Sequence, residues 1–370
     1  MSKVPVAANW TAIPRLGDGH GFLIHWAGGV QSAERDKGRW QILPLQHEGA
    51  PHVSGMYSKA EMQAFMKQRG ARFVAFQQIS WLKGDFTSNW APLIPGETNF
   101  HESPADLWSR AASNLDQART KPAIQALQNP TFDQIAAIRD AHSQPERLAR
   151  SISLSLRNLD TSVSQIAEFY HEELSNLLAG GQTDGRRSSS TRDQNLYALV
   201  HSFFLHLGTA RDYLAAFVGF ELGMDVTKID AMNRLVDAIR APDIARSAIL
   251  AMLEAKGYIK PIGAPSTKWK DAGWLNEATD LRNEFTHRRT FGDMTAERMG
   301  HLRPLDADVG LYRYFRPVSW QAGDKDVFDV ILDSYERTNE LFFAAAKLSR
   351  QDLSIMQITD KDIISFTTNS

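Results

Sequence analysis

The spacing of apolar residues changes near residue 100, and this change limits the fold more than any other feature. Before it lie short aromatic-rich runs, Gly21–Trp26, Arg39–Leu45 and Arg72–Leu82, bounded by Gly17-Asp-Gly19, Gly28-Gly29 and Gly84-Asp85. Runs of that length between turn residues read as strands, with one helix over Ser58–Arg69. Beyond Pro92–Pro104 nearly every segment carries a helical period instead. Ser103-Pro-Ala-Asp106 opens the first of these helices with a serine N-cap, proline at N1 and an acid in the first turn.

Longer helices are expected over Glu146–Leu178, ending at Gly180-Gly181, and over Thr191–Leu222, closed by Gly223. In the second of these, Leu196, Val200, Phe203, Leu207, Leu214 and Val218 recur at three- and four-residue steps and form one face that requires a core. Further helices are expected at Lys228–Arg240, Asp243–Lys256, Asp271–Arg289 and Asp326–Arg350. The fold class is therefore α+β: a small mixed or mostly β N-terminal module, then an all-α bundle. The expected segments are a module at 1–100 with a sensing or targeting role, a helical connector at 101–145, the bundle at 146–350 and a tail at 351–370.

A chain of 370 residues is long for one core, so two or more packing units are expected. Cysteine is absent, which excludes disulfides, thiolate metal sites and cysteine nucleophiles together. Catalysis must then come from His, carboxylates, hydroxyls, Lys or Arg. The formal charge of −2 carries no basic excess, so a nucleic-acid substrate would have to be held by a local cluster. There is no signal-peptide run and no apolar stretch long enough to cross a bilayer, so a cytoplasmic protein without a membrane partner is expected. P-loop, dinucleotide-binding, HExxH and nucleophile-elbow patterns are also missing, and no cofactor or metal is expected.

One polar cluster interrupts an apolar helix face. Trp274, Ala278, Leu281 and Phe285 form the face, and Arg282-Asn283-Glu284 and Thr286-His287-Arg288-Arg289 lie among them. On an ideal helix Asn283 and His287 are roughly 40° apart around the axis, so Asn283 can brace the imidazole. Arg282 lies another ~100° round, so joint action with His287 needs long side chains, a loosened final turn or a second subunit. Histidine, with a pKa near ~6.5, can take a proton from a ribose 2′-hydroxyl or give one to a leaving 5′-oxygen. The forked, permanently charged Arg282 can hold a phosphate and stabilise charge developing on its oxygens. The spacing alone is weak, because Arg15 and His20 share it in a Gly-rich segment without an Asn.

In its helical context the cluster resembles the HEPN superfamily, helical bundles with an Arg-x4-6-His motif, often Arg-Asn-x-x-x-His, in a late helix. Arg282-Asn283-Glu284-Phe285-Thr286-His287 matches that form residue for residue, and His201–Phe217 looks like the family's earlier core helix. The resemblance covers roughly 146–350. It implies a metal-independent endoribonuclease, acting as a homodimer with a composite cleft, with Arg282, Asn283 and His287 as catalytic residues. It also implies a toxin or phage-defence role, with a trigger or neutralising partner. Members paired with a nucleotidyltransferase antitoxin carry Tyr two residues after the His, where this chain has Arg289. The alternative is a noncatalytic HEPN-like nucleotide- or RNA-binding protein or dimeric scaffold.

Other residues divide between functional and structural roles. Arg211, on the apolar stripe, needs either a carboxylate from a neighbouring helix or a place in the cleft lining with Asp212 and Glu284. Arg288, Arg289, Arg313 and Arg316, interleaved with aromatics, either bind RNA or serve helix-end compensation and a packed loop. The pair Arg186-Arg187 reads as solvated loop charge. His201 and His206 have no metal-binding spacing, and His20, His25, His47 and His52 read as ordinary fold or surface histidines.

Overall fold

A computed structural model describes residues 19–35, 38–44, 56–82, 85–95, 102–128, 130–263, 268–320 and 323–356. Along the chain come β1 (Gly19–Trp26), β2 (Gln31–Glu34), β3 (Trp40–Leu43), α1 (Lys59–Gln68), β4 (Phe73–Leu82) and β5 (Asp85–Pro92). Next are α2 (Pro104–Gln125), α3 (Phe132–Asp140), α4 (Gln144–Ala179), α5 (Asp193–Glu221), α6 (Met232–Ala238), α7 (Ala241–Arg246) and α8 (Ala248–Ala255). Then follow β6 (Ile259–Ile262), β7 (Lys268–Asp271), α9 (Gly273–Asn283), a π-turn (Glu284–Arg288) and a 3₁₀ turn (Thr295–Arg298). The last elements are β8 (His301–Asp306), β9 (Leu311–Phe315), β10 (Pro317–Val318), β11 (Lys325–Asp326) and α10 (Val327–Leu348).

The fold is α+β, with a five-stranded antiparallel sheet ahead of the helices. Two compact units are present, each made from three stretches: 1–101, 159–204 and 284–339 in the first, and 102–158, 205–283 and 340–370 in the second. One change of unit falls at residues 101 and 102, and the first unit also takes two later stretches of chain.

In the first unit the sheet has the order β3-β2-β1-β4-β5. Leu23 of β1 faces Ala33 on one side and Gln77 on the other, and it packs with Ala33 and Ile79. The β1–β2 turn closes with Trp26 N–H donating to Val30 at 2.8 Å, and Gly28 and Gly29 adopt positive φ of 82° and 90°. Glycine is required at 29, where a Cβ would stand 2.3 Å from the Tyr170 carbonyl oxygen. Helix α1 begins where expected, with a capping box between Ser58 and Glu61. Arg72 binds Glu336 of α10 at 2.8 and 3.1 Å, and the Trp90 indole donates to Tyr335 at 3.0 Å. Tyr170 of α4 packs edge-on against Tyr314 of β9, with centroids 5.0 Å apart, and against Phe328 of α10 at 4.9 Å.

In the second unit Ser103 caps α2 as expected, accepting from the Asp106 amide. Trp108 is fully buried, edge-on to Phe217 at 4.9 Å, and its indole donates to the Phe342 carbonyl at 3.0 Å. The helices expected at Lys228–Arg240 and Asp243–Lys256 are shorter and broken, because Ile239 and Ser247 adopt extended backbone between α6, α7 and α8. The helical part is also not all-α. Strand pairs β6–β7, β8–β9 and β10–β11 occur within it, and Leu311-Tyr-Arg-Tyr-Phe315 is the alternating aromatic pattern that favours a strand. Among the described residues no helix is long and apolar enough to cross a membrane.

Candidate active site

The unit boundary falls between Asn283 and Glu284. In the second unit, Arg282 leaves the last turn of α9 and lies across Gly208 of α5. A Cβ at position 208 would stand 2.4 Å from the Arg282 Nε and 2.5 Å from its Cδ. Glycine inside a helix is less favourable than alanine by roughly 0.5–1 kcal/mol, so its presence here accompanies the seating of a guanidinium. Arg282 and Asn283 are half-buried.

Arg211, one turn along α5 from Gly208, is 4% exposed. Its Nη2 donates to the Thr279 hydroxyl of α9 at 2.7 Å, and it forms no ion pair among the described residues. The carboxylate expected opposite this cation is therefore replaced by a hydroxyl. Burial draws the Arg211 pKa down to about 10; Arg282 adds repulsion, while Asp212 and Asp271 oppose it. The Asp212 carboxylate accepts from the Met232 amide at 3.2 Å and so caps the start of α6, which lacks a side-chain cap of its own. Burial holds its pKa above the usual carboxylate range. Asp212 is thus tied to a helix end.

In the first unit, the expected final turn of the motif helix is a π-turn, closed by an Arg289 N–H to Glu284 carbonyl bond of 2.9 Å. Such a turn bonds i to i+5 and is wider than an α-turn. Phe285 anchors it, stacking on Phe204 with centroids 5.0 Å apart. The Phe285 carbonyl meets the His201 imidazole at 3.2 Å, so His201 secures the turn. His287 is exposed and makes no hydrogen bond or ion pair among the described residues.

The flanking arginines differ. Arg288 is exposed, 3.7 Å from Glu284. Arg289 binds Glu284 at 2.9 Å and Glu297 at 2.8 and 3.0 Å. Glu297 is fully buried and also accepts from the Gly292 and Ser319 amides. Arg289 and Glu284 therefore lock the π-turn to the 3₁₀ turn instead of facing a ligand. Arg316 is fully buried and paired with Asp193, and Arg313 binds Asp326 and Asp329, each at 2.8 Å. These two residues, expected as RNA contacts or loop charges, are spent on internal ion pairs.

Comparison with known proteins adds no constraint. No family model, curated protein or solved structure matches this chain.

Among the described residues Asp116, His142 and Glu146 bring ligand atoms within 4.8 Å of one another. Glu146 is already held by His142 at 2.5 Å, Arg150 at 3.1 Å and Arg119 at 3.5 Å, so two guanidinium cations occupy the carboxylate a metal would need. His25 and His171 are buried, accounted for by Gln77 and the Gly29 carbonyl at 2.8 Å each. His20 lies on β1 beside Ser80, whereas Arg15, His47 and His52 lie outside the described residues.

Proposed function

We propose that the chain is a metal-independent endoribonuclease of HEPN type, in which Arg282 holds the scissile phosphate and His287 moves protons. The observation that carries this reading is the helical glycine at 208, which leaves room for the Arg282 guanidinium beside α5. Supporting it, His287 is exposed with no partner to compete for its ring nitrogens among the described residues. The turn that carries His287 is a π-turn over Glu284–Arg288, wider than an α-turn.

The ribose 2′-oxygen attacks phosphorus as imidazole takes its proton, and the phosphorus–O5′ bond breaks as imidazolium returns a proton to the leaving oxygen. The products are a 2′,3′-cyclic phosphate and a 5′-hydroxyl, with no oxidant, reductant or metal consumed. In a homodimer two copies of His287 would divide these proton transfers, and the intracellular consequence would be arrest of growth.

Wild type, Arg282→Ala and His287→Ala, incubated with mixed RNA in EDTA and followed by end-group determination, test this. Cleavage by the wild type alone is expected. A wild type that cuts no RNA, or a His287→Ala chain that cuts as well as its parent, removes the catalytic reading and leaves an RNA-binding or scaffold role. Sedimentation of the full chain tests the dimer, and growth on induction of the three forms tests the cellular role.

A further inference from the structure

A second candidate site lies wholly within the first unit. Gln165, Glu168, Phe169 and Glu172 of α4 stand at positions i, i+3, i+4 and i+7, so they share one face of that helix. Opposite them, Arg192 and the first turns of α5, with Asn195, Ala198 and Leu199, form the other wall of a groove of about 400 Å³. That volume is within the range of small-ligand sites.

Glu168 is a half-buried carboxylate in its lining. Gln31 donates to it at 3.3 Å, and no Lys, Arg or His forms an ion pair with it among the described residues. Burial raises its pKa despite the Gln31 bond. A carboxylate so placed favours a ligand that brings N–H donors. The other charges of the groove are matched to each other, since Arg192 pairs with Glu172. The Arg192 guanidinium also stands 6.0 Å from the Phe169 ring centroid, at the groove's edge.

We propose that this groove binds a guanine base. Guanine is the nucleobase whose Watson–Crick edge offers two adjacent donors, N1–H and the 2-amino group, to the two oxygens of one carboxylate. Adenine would turn the lone pair of N1 toward Glu168, and cytosine offers a single amino donor. The exposed amides of Gln165 and Asn195 supply donors for O6 and N7, and the Arg192 plane is a surface on which a base can stack. The site goes beyond the ribonuclease reading and would give an RNA-handling protein a base preference. It does not depend on catalysis.

Calorimetric titration of the full chain with GMP, AMP and agmatine tests it. GMP should bind about tenfold or more tightly than AMP, and Glu168→Gln should weaken GMP by a similar factor, because the amide turns a donor toward the base. Leu199→Trp, which fills the groove while keeping the Glu168 carboxylate in the chain, should also abolish binding, and it decides the matter if Glu168→Gln fails to fold. Arg282→Ala should bind GMP as the wild type does while losing cleavage, so that the two proposals fail separately. The guanine site is refuted if GMP does not bind at millimolar concentration, if AMP binds equally well, or if the variants bind GMP unchanged. It is also refuted if agmatine binds more tightly than GMP, which would make the groove a site for guanidinium cations.

Discussion

Replacing Gly208 by alanine sets two effects against each other whose sizes follow from the structure. In the interior of α5 alanine is favoured over glycine by about 1 kcal/mol. The new Cβ, however, would stand 2.4 Å from the Arg282 Nε, against an ordinary contact beginning near 3.4 Å, so the guanidinium must retreat. The obstructing atoms belong to the outer part of a flexible side chain, so retreat is easier than a backbone shift. Displacing the chain from its rotamer costs about 0.5–1.5 kcal/mol. The two effects nearly cancel, and Gly208→Ala should denature within about 1 kcal/mol of the wild type. Activity should not be spared, since a shift of about 1 Å in a phosphate-holding group can lower a rate by about 100-fold.

The double variant isolates the cause. With Arg282 already truncated to alanine, the three atoms nearest the new Cβ are gone, so Gly208→Ala should stabilise that background by up to about 1 kcal/mol and reduce residual cleavage no further. Urea denaturation of the four chains, with single-turnover RNA cleavage beside it, reads both quantities. The reasoning is refuted if Gly208→Ala cleaves at the wild-type rate. It is equally refuted if the substitution is as unfavourable without Arg282 as with it.

Three further outcomes concern the rest of the molecule. Arg316→Met leaves Asp193 buried without its cation and should destabilise by about 3–5 kcal/mol in denaturation, with Asp193→Asn in the same background recovering part of the loss. Gly29→Ala combines a left-handed φ of 90° with a 2.3 Å approach to the Tyr170 carbonyl; the full chain should be recovered largely insoluble, and recovery at wild-type yield would contradict the packing described. His25 and His171 are each held down to about 4 by burial, opposed by hydrogen bonds to Gln77 and the Gly29 carbonyl respectively. The unfolded chain binds their protons near ~6.5 and the native chain only near 4, so stability is complete above the higher value and declines as pH falls between the two, by roughly 3 kcal/mol per histidine. Imidazole proton resonances should titrate near 4, and midpoints near 6.5 would disprove the assignment.

Much of the architecture was legible in the sequence because it rests on local signals. The Ser58 and Ser103 caps, the strand-length runs of the first hundred residues and the long periods of α4 and α5 each declare themselves within a few turns. The hairpins after residue 258 did not, since their pattern is short and contains prolines and charges that also suit loops. At the motif, the amino acids identify Arg282 and His287 but not their supports. For His201 the spacing to His206 excludes a shared metal and nothing more, because its partner, the Phe285 carbonyl in the π-turn, is 84 residues away. Gly208 left a signal that could have been used: a glycine within the strongest helix, beside its apolar stripe, needs a neighbour that comes too close for a side chain. Arg313 and Arg316 misled because clustered arginines look alike in sequence whether their carboxylates are distant chain segments or absent.

The three-stretch make-up of each unit also governs how the protein can be made and divided. No gene fragment encodes either unit alone, and the first lacks its last stretch until the ribosome has passed residue 339. Until then the early strands and the aromatic faces of α4 and α5 wait for partners, and chaperone occupancy during synthesis should be long. Recombination cannot transfer one unit to another protein as a cassette either, so the two should be inherited together or not at all.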